Sequence, residues 1–120
     1  MPLDFNAYGN TDDLPLKLLY LADERIAQPI NWVKGTLHTR ENGVDAYCLR
    51  GALYSDEYKT TLSFQSYEAG VIAAEECIMR SNDLIGVVHF NNAPSTTFKD
   101  VKQALTKAIA YRIKALMPVA

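Results

Sequence analysis

The sequence has little of what usually announces chemistry. Two cysteines and two histidines are all that its 120 residues contain. Neither a Cys-x-x-Cys nor a His-x3-His spacing occurs, so no zinc site is expected. The six glycines stand singly, which excludes a dinucleotide fingerprint or phosphate loop, because those need clustered glycines to bring backbone N–H groups against phosphate. No apolar run approaches the roughly 18 residues needed to cross a bilayer. Met1-Pro2-Leu3-Asp4-Phe5-Asn6 has neither the positive nor the apolar region of a secretory signal. A formal charge of −2 and a pI near 5.6 give no general attraction to nucleic acid or anionic lipid. Cys48 and Cys77 lie in the apolar settings Tyr47-Cys48-Leu49 and Cys77-Ile78-Met79, which suit reduced core thiols. The expectation is a cytoplasmic protein with no metal, no cofactor and no membrane contact.

What is present is ordinary globular composition, 48% hydrophobic and 22% charged, enough to form a core without staples. Residues 1–120 read as one domain, with 1–11 a loosely ordered arm. Asp12 or Asp13 caps a first helix with Pro15 in its first turn, and Leu18, Leu19, Ala22 and Ile26 follow one helical face. Pro29 stops that helix. Glu41-Asn42-Gly43 carries the strongest two-residue hairpin signal, so residues 32–44 read as a short β-hairpin or ordered loop. Asp45 is expected to cap a short helix through Tyr54, with Gly51 inside it at a cost of about 1 kcal/mol relative to alanine. Residues 55–65 read as a surface loop. Ser66 reads as a plain cap, and the helix after it carries Val71, Ala74 and Ile78 on one side, with Ile72 and Met79 alongside. Ile85 to Phe90 is apolar and β-branched and reads as a strand. Thr97 and Asp100 make a capping box for the last helix, whose core face is Val101, Ala104, Leu105, Ala108 and Ile109. The predicted class is α+β and mainly helical: about four helices, a small β-hairpin and one short strand. An all-α bundle is the alternative.

Candidate functional residues fall into two groups. His89, Asn91, Asn92, Thr96 and Thr97 run from the expected strand into the N-terminus of the last helix, where orphan N–H groups and the helix dipole suit a small anion or nucleotide. The plainer reading is that both asparagines bond their own turn while the hydroxyls cap the helix. Trp32, Tyr47, Tyr54 and Tyr58 form the second group. The three tyrosines would make a stripe on one extended helix, and amphipathic tyrosines favour interfaces, although such stripes also serve as boundary packing. Cys48 with His89 and Asn91 has the residue types of a cysteine-nucleophile site, but its apolar neighbours argue for a buried thiol, and no catalytic residue is assigned. The lysines and arginine of the last helix are split between faces, which speaks against a nucleic-acid groove.

Trp32-x-x-Gly35-Thr36, Cys48-Leu49-Arg50-Gly51-Ala52-Leu53 and Phe90-Asn91-Asn92-Ala93-Pro94-x-Thr96, followed by Val101 and Ala108-Ile109, together resemble a family of small bacterial and phage proteins classified only as a domain of unknown function. The resemblance covers roughly residues 14 to 110. It implies the same order of elements and a phage link, and no chemistry. The family pattern has aspartate where this chain has Asn92, so a role needing a carboxylate there is not carried here. The function expected is a non-enzymatic binding or accessory protein acting through protein contacts, with a protein partner or a second copy of itself. A small-ligand domain or small enzyme at His89–Thr97 is the alternative.

Overall fold

In the computed structural model the described residues are 11–118. The arm expected over 1–11 therefore lies outside them, apart from Thr11, whose hydroxyl accepts from Asp13 N–H at 3.1 Å. Helix α1 spans Leu14–Arg25 and starts where the Asp13 carboxylate accepts from Leu16 N–H. It leaves the α conformation at Ile26, and Pro29 opens a single 3₁₀ turn, Pro29–Asn31. Strands β1 (His38–Glu41) and β2 (Val44–Tyr47) form an antiparallel hairpin in which His38 faces Tyr47 and Glu41 faces Val44. Asn42 and Gly43 both take positive φ, 53° and 78°, as a two-residue turn matched to the strand twist requires. A second 3₁₀ turn, Gly51–Leu53, leads to α2 (Asp56–Thr61), α3 (Phe64–Asn82), α4 (Val87–Asn92) and α5 (Phe98–Leu116). The chain is α+β and mainly helical.

The core lies where α1, α3 and α5 meet. Leu16, Leu19 and Ala22 of α1, Ala74 and Ile78 of α3, and Val101, Leu105 and Ile109 of α5 are buried together. Each large aliphatic side chain hidden this way contributes about 1.5–3 kcal/mol. Ion pairs fix α1 antiparallel to α5. Arg112 grips the Asp13 carboxylate through Nε and Nη2 at 2.9 and 2.8 Å, and Lys102 Nζ donates to Asp23 Oδ1 at 2.6 Å. The Arg112 hydrogen bond holds the Asp13 carboxyl below the usual carboxylate range. Where α1 crosses α3, the Leu14 side chain packs over Gly70, and a Cβ there would lie 2.4 Å from Leu14 Cδ2.

Four expectations are corrected. Residues 45–54 are not a helix. Asp45 sits in β2, and its carboxylate bonds His38 Nε2 (2.8 Å) and Arg40 Nη1 (3.1 Å) across the hairpin. The tyrosines at 47, 54 and 58 are therefore not one helical stripe. Residues 85–90 are not a strand. No strand lies beside them among the described residues, and α4 forms instead, burying Val87 and Asn91 one turn apart while Ile85 is 90% exposed. Residues 55–65 are no loop, because the Ser55 hydroxyl caps α2 by accepting from Tyr58 N–H. Helix α3 is capped by Ser63 rather than Ser66 and starts at Phe64.

Candidate functional site

The three sequence motifs meet at Asn91, which is fully buried. Its Oδ1 accepts from Trp32 Nε1 at 2.7 Å and from Leu49 N–H at 2.9 Å, and its Nδ2 donates to Val33 O and to Asn92 Oδ1, both at 3.0 Å. Two acceptances and two donations are the full capacity of an amide. Asn92 Oδ1 also accepts from Gly35 N–H at 2.9 Å, and Lys34 Nζ donates to Ala93 O at 2.6 Å. Segments 32–35, 48–51 and 90–93 are thereby tied into one knot. Gly51 is part of it: a Cβ there would lie 1.9 Å from Leu37 O, where no side chain fits. The Cys48 thiol is buried and its sulfur accepts from Gly51 N–H at 3.2 Å. Trp32 is thus an internal anchor, and Asn91 and Asn92 are occupied with backbone and side chains of their own chain.

His89 lies exposed beside this knot, while Thr96 is buried. At the start of α5, Asp100 N–H donates to Thr97 Oγ1 at 3.1 Å and Thr97 N–H donates to Asp100 Oδ2 at 2.9 Å. The capping box read from the sequence is present, and it engages the N–H groups of Thr97 and Asp100 at the helix terminus. A cleft of about 410 Å³ opens here, lined by Asp83, Ile85, His89, Phe90 and Asp100 among others. The bonds from Thr97 hold the Asp100 carboxyl below its ordinary range, so this cleft carries negative charge. The structure brings His89, Thr96 and Asp100 to one cleft and turns Asn91 inward, away from any ligand.

The tyrosines are separated by element but lie near one another around the second 3₁₀ turn. Tyr47 stacks on His38 with ring centroids 4.5 Å apart, and the Arg25 guanidinium lies 4.8 Å from its centroid. That guanidinium also bonds the carbonyls of Ala52 and Tyr54. Tyr58 faces Lys17 of α1. Tyr54 lines a groove between α2 and α3 containing a cavity of about 250 Å³. Tyr67 and Val71 are its buried members, Phe64 and Ile72 stand exposed at 65% and 56%, and Asp56, Lys59 and Glu68 complete the lining. Arg50 Nε meets Glu75 Oε1 across it at 3.0 Å.

Phe64 and Ile72 were not among the residues singled out, and Ile72 is not beside the core as expected. The signal available was their i, i+8 spacing through Glu68, a line off the Tyr67–Val71–Ala74–Ile78 core face. Among the described residues no group of three or more His, Cys, Asp or Glu side chains could hold a metal ion, and no helix is long and apolar enough to cross a membrane.

A three-helix core, with the segments that flank a hairpin tied to α4 through one buried asparagine, makes a small, mainly helical α+β fold. The chain belongs to the family of unknown function DUF6197, whose model matches residues 10–111. No curated protein and no solved structure matches it.

Proposed function

We propose that this protein is a non-enzymatic binding or accessory protein that acts through protein–protein contacts made at the groove between α2 and α3. The observation that carries this reading is the exposure of Phe64 and Ile72 on either side of a cavity whose inner wall is Tyr67 and Val71. Large apolar side chains rimmed by charge mark interaction surfaces, and aromatic residues are enriched there. The cavity, at about 250 Å³, is smaller than the roughly 300–1,000 Å³ that encloses a metabolite, and it suits an anchoring side chain of a partner. Of the four aromatic candidates, Tyr54 lines this cavity and Tyr58 lies on α2 beside it, whereas Trp32 is bonded to Asn91 and Tyr47 is stacked on His38. We place the protein in the cytoplasm, where its two unbridged thiols stay reduced. A phage link is part of the proposal and rests on the motif resemblance alone.

The alternative, a small-anion or nucleotide site or small enzyme at His89–Thr97, has less support. The amides that would serve it are bonded internally, and carboxylates line the cleft where an anion would sit. The test is photo-crosslinking in the producing cell from a photoreactive residue at position 64 or 72, with exposed position 24 as control. Discrete adducts from 64 and 72 but not from 24 are expected. Adducts equal at all three positions, or none, would refute the reading.

A further inference from the structure

Charge is distributed unevenly over this surface. Residues 55–76 contain five carboxylates (Asp56, Glu57, Glu68, Glu75 and Glu76) and one lysine, Lys59, although the whole chain is only −2. Glu75 is neutralised by Arg50 and Glu76 lies 3.9 Å from Arg80. Asp56, Glu57 and Glu68 form no ion pair with any described residue, and Asp56 and Glu68 line the cavity.

The opposite character appears on the last turns of α5. Lys107, Tyr111 and Lys114 follow each other at i, i+4 and i+7, which places them on one face, and all three are exposed. Leu116 and Met117 at the end of the helix are also exposed, at 44% and 56%. Of the other cations of this helix, Arg112 is engaged with Asp13 and Lys102 with Asp23, while Lys99 stands at the opposite end, in the first turn. Lys107 and Lys114 form no ion pair among the described residues. At 1.5 Å of rise per residue they stand about 10 Å apart on either side of Tyr111.

We propose that the groove receives this face of α5 from a second copy of the chain, with Tyr111 entering the cavity and Lys107 and Lys114 meeting Glu68 and Asp56. The inference rests on the protein-contact reading above and names the partner. A cavity of about 250 Å³ holds one aromatic ring, and a buried tyrosine flanked by rim charges is the usual form of an interface anchor. Every copy carries both surfaces. The pairing closes as a reciprocal dimer if the geometry allows two contacts at once, and otherwise runs on head to tail; both count as self-association through this contact.

Sedimentation velocity on the full chain, from about 5 to 500 μM in low salt and again in about 0.5 M salt, tests it. Concentration-dependent association that salt weakens is expected. Glu68→Lys or Lys107→Glu alone should weaken it about tenfold or more, and Tyr111→Ala should remove it. The doubly reversed Glu68→Lys/Lys107→Glu chain should associate again, because the charges then meet in exchanged positions. All three residues are exposed, and circular dichroism confirms that each variant is folded; Glu68→Gln and Lys107→Gln replace any reversal that is not. A wild-type chain that stays monomeric, association indifferent to both reversals, or no recovery in the double variant would overturn the proposal. A monomeric chain that still crosslinks from positions 64 and 72 to another protein would sink only self-association. Loss of those crosslinks would sink the wider reading.

Discussion

Replacing Asn91 by alanine removes one side chain and strands three partners. The amide satisfies Trp32 Nε1, Leu49 N–H and Val33 O at 2.7, 2.9 and 3.0 Å, in a place with no exposed surface. A buried donor or acceptor left without its bond costs about 1–3 kcal/mol, and water entering the small space made by the substitution recovers part of that. The expected loss is therefore about 3–6 kcal/mol, a large share of the roughly 5–15 kcal/mol that stabilises a domain. Urea denaturation followed by circular dichroism measures it: the midpoint should fall steeply with little change of slope. Trp32→Phe removes one donor to the same oxygen while keeping most of the ring. Asn91→Ala and Trp32→Phe combined should therefore cost less than the sum of the two, with a coupling of about 1 kcal/mol or more. A loss below about 1 kcal/mol for Asn91→Ala, or strict additivity with Trp32→Phe, would show that the knot does not hold the hairpin to α4 as argued.

Gly51→Ala should destabilise by about 1–3 kcal/mol or more, because its Cβ would meet backbone of Leu37 rather than a side chain that can turn aside; thermal unfolding by circular dichroism measures it, and a neutral result would mean that the hairpin shifts without penalty. Asn92→Asp should change stability by less than about 0.5 kcal/mol, since the bonds Asn92 receives from Gly35 and Asn91 both go to Oδ1, which a carboxylate also offers; urea midpoints compare the two chains. The Asp13 carboxyl is held down in the folded chain, chiefly by Arg112. A lowered folded pKa adds stability that is fully present above the unfolded value of about 4 and is lost as pH falls through the folded value. Asp13→Asn should accordingly be less stable than the parent near neutrality, with the difference shrinking below about pH 4; a gap that widens on acidification would contradict the sign.

The features legible from residues alone are those whose partners lie a few positions away. Asp13 caps α1, Thr97 and Asp100 box α5, and Asn42-Gly43 turns the hairpin, each through bonds spanning two to four residues that any copy of those letters would form. The apolar lines of α1, α3 and α5 were equally visible, because period 3.6 is written in the side chains themselves. Residues 45–54 and 85–90 depart from expectation for the opposite reason. Both are short apolar runs, and whether such a run becomes strand, turn or helix depends on what lies beside it. Asp45 found Arg40 and His38 across a ladder, while Val87 and Asn91 found a buried face one helical turn wide. The part played by Asn91 was hidden as well, since its partners Trp32, Val33 and Leu49 are distant in the chain and nothing local distinguishes an amide that bonds its own turn from one that joins three segments.

Local chemistry in this chain therefore determined the caps, the turn and the placement of the three long helices, whose backbone bonds and apolar periodicity join near neighbours. Tertiary structure alone decided which polar groups were consumed inside and which apolar ones were left outside. Asn91 went in and Phe64 and Ile72 stayed out because burial is a property of the surfaces that meet, and those surfaces exist only once α1, α3 and α5 have packed.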